Sequence, residues 1–246
     1  MTGGHCRSRI GVLIVAFALS VLCVVADTDN NKITKPCQDT TVKKYDGFTF
    51  GLVIAKNESF FTKGKNPVQL SPCDKRLTNL NSGQVAVFRP KVDEISLLII
   101  NSSSVNPQNF GGNAVVFAGS KFAAVSAPIF LANNTYRVTS LSLVLNFEKG
   151  RLIQILWKND KCKSCSGSNS TIVCLKGGQC AVKSSKCKES GGTTDCSLSI
   201  QTAFSGTDKY DDVLNTWYQV DKLQQYSLYA LYSNLKSTLS QFNLFF

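Results

Sequence analysis

The chain has 246 residues, with 27 Lys plus Arg against 16 Asp plus Glu, ten cysteines and a single histidine. That length can bury a substantial hydrophobic core, so the cysteines need not be its only source of stability. The one histidine is His5, in the N-terminal leader. The rest of the chain therefore cannot form a Ser-His-Asp or Cys-His nucleophile, use histidine as acid or base, or bind zinc through H-E-x-x-H.

Taken in order, Arg7 and Arg9 precede an uncharged apolar run from Ile10 to Ala26, and polar DTDNNK follows. A basic start, an apolar middle and small or β-branched residues at Val24 and Ala26 describe a secretory signal peptide. Residues 1–26 are expected to be removed, leaving 27–246 as a single secreted β-rich domain. The competing expectation is an uncleaved anchor. No later segment reaches about 18 consecutive apolar residues, so no stable membrane insertion is expected after cleavage.

Strand signals then follow. In GFTFGLVIA, Phe48, Phe50, Leu52 and Ile54 alternate with Thr49, Gly51 and Val53, the period of a half-buried strand. QVAVFR (84–89) is a second strand. EISLLIIN (94–101) is apolar on both faces and is expected to be central in a sheet. NAVVFAGSKFAAVSAPIF (113–130) predicts two strands around Gly119-Ser120-Lys121. YRVTSLSLVLNFEKGRLIQILW (136–157) predicts a long hairpin turning at Glu148-Lys149-Gly150, and residues 197–204 predict one further strand. Short strands between Gly, Pro and Asn predict an antiparallel β-sandwich or jelly-roll. Near the end, Leu228, Leu231, Tyr232, Leu235, Leu239 and Phe242 recur at intervals of three and four, predicting a C-terminal amphipathic helix over 225–242.

Without the leader eight cysteines remain: Cys37, Cys73, Cys162, Cys165, Cys174, Cys180, Cys187 and Cys196. An even count in an oxidising compartment predicts four disulfides. Six of the eight fall in 158–196, expected to be a disulfide-stapled insertion. Cys162-x-x-Cys165 has half of a zinc-knuckle spacing, but no second C-x-x-C follows and no histidine is available, so neither metal nor cofactor is expected. Parity requires either that Cys37 bonds Cys73 or that both reach into the cluster. Sequons at Asn57, Asn101, Asn133 and Asn169 are candidate glycan acceptors.

Two catalytic patterns survive the lack of histidine. S-x-x-K occurs at Ser185–Lys188 and Ser233–Lys236, without the S-D-N or K-T-G elements that accompany it in known enzymes. A carboxylate pair, as glycoside hydrolysis requires, could come from Asp208, Asp211 and Asp212 beside Trp217. Charge is the other signal. Without the leader, 25 basic residues face 16 acidic ones. Lys163, Lys176, Lys183, Lys186 and Lys188 stand in the cysteine-rich stretch, where a fixed loop could meet an anionic partner. Interleaved aromatics are absent there, which argues against nucleic acid.

The block FSGTDKYDDVLNTWYQVDKLQQYSLYALYSNLKSTL, together with the upstream cysteines and the leader, resembles a family of small secreted cysteine-rich plant proteins. That resemblance implies an extracellular, apoplastic protein facing the cell wall, and supplies no catalytic residues. The resulting expectation is a non-enzymatic binding or structural protein that engages anionic cell-wall polysaccharide, or another extracellular protein, through basic loops. The alternatives are a carbohydrate-active enzyme with a carboxylate pair and a defence-type inhibitor presenting the Cys/Lys loop.

Overall fold

A computed structural model describes residues 29–43, 46–77, 80, 83–91, 95–158, 161–162 and 172–203. The leader expected at 1–26, Cys165, Lys163, Asn169, the acids Asp208, Asp211 and Asp212, Trp217, and the helix expected over 225–242 all lie outside the described residues.

The described part is mainly β. In chain order the strands are β1 (Phe50–Ala55), β2 (Gln84–Phe88), β3 (Ile95–Ile100), β4 (Asn113–Ala118), β5 (Ala124–Val125) and β6 (Ile129–Phe130). They continue with β7 (Tyr136–Val138), β8 (Ser140–Glu148), β9 (Arg151–Lys158), β10 (Ile172–Cys174), β11 (Cys180–Lys183) and β12 (Leu198–Ala203). One sheet has the order β2-β1-β4-β5, with β6 also on β4; a second has the order β3-β12-β8-β9; a third, small one has the order β10-β11-β7. Pairing is antiparallel except between β12 and β8, which run parallel. The β8–β9 hairpin turns at Lys149-Gly150, as its Glu-Lys-Gly sequence predicts.

The two large sheets share one core. Phe50, Leu52 and Ile54 of β1 and Ala114, Val116 and Ala118 of β4 pack with Leu141, Leu143 and Leu145 of β8 and Ile200 of β12. Phe48 meets Phe147 edge-on at 5.2 Å between centroids and lies 6.2 Å from Phe50, so aromatic contacts join the layers. Truncating such a ring to alanine costs about 3–5 kcal/mol.

Two expectations are corrected. β1 is not half-buried: all six of its residues are buried. Val53 and Ala55, on its far face, pack with Phe60, Val115 and Phe117 in a second cluster that also takes in Cys73 and Leu80. The segment after β1 folds back over that face and covers it. β3 is not central either. Among the described residues it forms the edge of its sheet, and Leu97 and Ile99 are 47% and 60% exposed. An apolar run on both faces therefore marks here a strand with one open side and one open edge, not a fully enclosed one.

The chain ahead of β1 is clamped to the sandwich. Arg89 pairs with Asp29 at 2.6 Å and donates to the Ile33 carbonyl at 2.6 Å and the Thr49 hydroxyl at 2.7 Å. Cys37–Cys73 closes a separation of 36 residues, the simpler of the two arrangements that parity allows. Cys162–Cys174 and Cys187–Cys196 close shorter loops of 12 and 9 residues, and Cys180 is disulfide-bonded as well. Among the described residues, no helix is long and apolar enough to cross a membrane.

Candidate functional site

The sandwich has two distinct ends. At one, β4 stops at Ala118, the β8–β9 hairpin turns, and the segment 36–42 crosses beneath both. Gly119 N–H donates to the Pro36 carbonyl and Val42 N–H to the Gly150 carbonyl, each at 2.8 Å. Gly119 sits at φ +85°, and a Cβ there would lie 2.8 Å from an Asp39 oxygen. Glycine thus lets the turn and the acid approach each other.

These three segments enclose a concavity of about 170 Å³. Its floor is apolar and buried (Phe48, Ala118, Leu152), and its exposed rim carries Gln38, Asp39, Thr41, Phe122 and Arg151. Pockets for drug-sized molecules run from about 300 to 1,000 Å³, so this one suits a single small unit of a longer ligand.

The charges in the rim are not equivalent. Asp39 accepts from the backbone N–H groups of Ser120, Lys121 and Phe122 at 2.7, 2.9 and 3.1 Å. Burial pushes its carboxyl up, but those three donors and the nearby Arg151 cation outweigh burial and hold it below the ordinary carboxylate range. An acid so committed stays ionised and is a poor proton donor. The Arg151 guanidinium lies 4.1 Å from the Phe122 ring centroid, and the Lys121 ammonium lies 5.6 Å from it. Stacking on a ring fixes the guanidinium plane while leaving its N–H fork open to a carboxylate. Among the described residues the Arg151 side chain makes no hydrogen bond or short ion pair, and Asp39 is the only carboxylate in the lining.

At the other end β1 leaves its sheet at Ala55, β3 stops at Ile100, β8 begins at Ser140 and the cysteine-rich segment is attached. Lys176, Lys183, Lys186 and Lys188 are all exposed here. Lys176 follows β10, Lys183 ends β11, and Lys186 and Lys188 lie in the short 3-10 turns Ser184–Lys186 and Lys188–Ser190, so the lysines spread over separate turns. That loop is anchored from below. Arg137 is buried, with 2% of its side chain exposed, and pairs with Glu189 at 3.1 Å while donating to Asn106 at 3.0 Å. Burial raises the Glu189 carboxyl, and the Ser102 hydroxyl and Arg137 reverse this to leave it below its usual range. Cys187, Glu189 and Cys196 lie within ligating distance of one another, but the two sulfurs are bonded to each other and the acid to Arg137. They offer no thiolate to a metal.

The sequence pointed to the lysine turns and did not reveal the pocket. Its parts, 38–41, 119–122 and 151–152, come from three distant segments with no motif in common. The only advance signal was the pair of glycine turns at Gly119 and Gly150. Asn57, Asn101 and Asn133 are exposed, all at the lysine end.

A family model described as "Uncharacterised protein DDB_G0273449" matches residues 13–137 and 120–242, so the matches together span nearly the whole chain. No curated protein and no solved structure matches it.

Proposed function

The chain belongs to the family of that model, whose description names no activity, and from the site itself we propose that it is an extracellular, non-enzymatic binding protein for anionic polysaccharide. Disulfides at both ends of the sandwich support an oxidising, extracellular setting. The observation that carries the proposal is the Arg151 guanidinium, stacked on Phe122 at the mouth of a pocket with an apolar floor and a rim of hydroxyl and amide groups. A sugar carboxylate would bridge to Arg151, its ring would lie over the floor, and Gln38, Thr40 and Thr41 would take its hydroxyls. Among the described residues Asp39 is the one carboxylate in the lining and is saturated by backbone donors, so the pocket as described offers no pair of acids for glycoside cleavage. The cell-wall setting drawn from the C-terminal block belongs to this same proposal, as does the role expected of the exposed lysines in adding long-range attraction.

The test is binding of the purified protein to oligogalacturonate, with a neutral oligosaccharide of equal length as control. A charge-assisted hydrogen bond contributes about 1.5–3 kcal/mol, so R151A should weaken binding by about 10- to 100-fold. Affinity should fall as salt rises. Equal affinity for the neutral sugar, or an R151A variant that binds as well as the parent, would refute the assignment.

A further inference from the structure

The three sequons within the described residues gather at one end of the molecule, although 76 positions separate Asn57 from Asn133. Asn57 stands two residues after Ala55, the last of β1, and Asn101 directly follows Ile100, the last of β3. Asn133 occupies the turn into β7, whose chain continues directly into β8. The loops that carry them touch. Gly111 packs on the Lys56 backbone, Val105 N–H donates to the Asn101 carbonyl at 3.0 Å, and Gln108 donates to the Asn134 side chain at 2.6 Å. The Arg151–Phe122 pocket lies at the far end of β8, about 26 Å away at the rise of a nine-residue strand.

The amides themselves are disposed for modification. Asn101 Oδ1 accepts from Ser103 N–H at 2.8 Å, and Asn133 Oδ1 accepts from Thr135 and Tyr136 N–H at 2.8 Å each. In both, the oxygen holds the turn and Nδ2 has no hydrogen bond among the described residues. By contrast, the Nδ2 groups of Asn31 and Asn113 donate to the carbonyls of Gly47 and Gly111. A sugar on Nδ2 of Asn101 or Asn133 would leave every turn bond intact. Asn133 also adjoins the lysine loop: Ser184 donates through its backbone to the Thr135 carbonyl at 2.9 Å and through its hydroxyl to the Asn133 carbonyl at 3.1 Å.

We infer that Asn57, Asn101 and Asn133 carry N-glycans that together sheath this end, cover the Lys183–Lys188 loop, and leave the Arg151–Phe122 end as the face open to ligand. At each site Nδ2 bonds to the anomeric carbon of a lipid-pyrophosphate-linked oligosaccharide. The bond from that carbon to pyrophosphate oxygen breaks, the pyrophosphate keeps the electron pair, and the amide loses one proton. The inference rests on the extracellular reading, from which the test separates it.

The full chain is expressed in a eukaryotic secretory host, and its cleavage state and location are recorded. The purified protein is then treated with peptide N-glycosidase in heavy-oxygen water and mapped by mass spectrometry, which should find labelled aspartate at positions 57, 101 and 133. Amine acylation of the intact glycoprotein should be several-fold slower at Lys183, Lys186 and Lys188 than after enzymatic deglycosylation, and unchanged at Lys121 beside the pocket. N133Q should raise acylation of the loop lysines without enzyme treatment. Secreted protein with unmodified asparagines would overturn this inference alone, and glycans without a change in acylation would overturn the covering of the loop. Retention in the cytosol with the leader intact would overturn the extracellular reading and this inference with it.

Discussion

Removing the Cys37–Cys73 bridge as C37S/C73S should lower stability far more than its small side chains suggest. The bridge spans 36 residues, and closing a loop of that size removes about 4 kcal/mol of chain entropy from the unfolded state. The packing loss is small, because Cys37 is exposed and Cys73 only half-buried. For a domain of 150–250 residues each kcal/mol moves Tm by about 2–4 °C, so the expected fall is about 8–15 °C. Urea unfolding followed by circular dichroism, on oxidised protein with the other bridges intact, should give a lower midpoint and a steeper slope, since the unlinked chain exposes more surface when unfolded. Below its new Tm the variant should still bind ligand, because Asp39 and Val42 hold the pocket wall through their own hydrogen bonds. A Tm fall of less than about 2 °C would refute the entropic account and mean that the unfolded ensemble was already constrained across this span.

Two further outcomes follow from charge and backbone. Glu189 faces Arg137, Ser102 and Asp195, and its folded carboxyl lies below its ordinary range, so its stabilisation is present above the unfolded pKa and lost as pH falls through the folded one. E189Q should cost about 3 kcal/mol near neutral pH by leaving Arg137 buried without a counter-charge. Its Tm deficit relative to the parent should begin to narrow as pH falls below the ordinary glutamate value of about 4.3 and close only below the depressed folded one; a deficit that persists in strong acid would refute the ion-pair account. G119A should cost about 1–2 kcal/mol because φ there is +85°, and should weaken ligand binding by crowding Asp39. Calorimetry showing unchanged stability and affinity would dismiss the turn as a determinant of the pocket.

Much of the fold was legible because periodicity and turn chemistry are local. Alternation over 48–54 and 198–204 marked β1 and β12, and Gly119 and Gly150 marked the turns after β4 and β8. Strand order was not legible. The apolar ISLLII of β3 looks the same whether it lies inside a sheet or at its rim, and the outcome depends on where β12 pairs. The burial of both faces of β1 depended likewise on a covering segment tied down by a distant cysteine. The pocket was hidden for the same reason: Arg151, Phe122 and Asp39 are ordinary surface types until three turns converge. Arg137 gave no sign of its burial, since its partners Glu189 and Asn106 are 52 and 31 residues away.

The edge position of β3 also sets a timetable. Among the described residues its one neighbour is β12, and Ile100 must wait for Leu198. At about 5–20 residues per second, synthesis delivers that partner roughly 5–20 s later. Meanwhile the apolar ISLLII lacks the strand it pairs with, the circumstance in which nascent chains associate wrongly or recruit a chaperone. Cys187–Cys196 lies immediately before β12 and is complete in the chain before that strand emerges. Both sulfurs of that bridge are thus available before β12, and pairing either with another cysteine would shift the strand that joins β3 to β8.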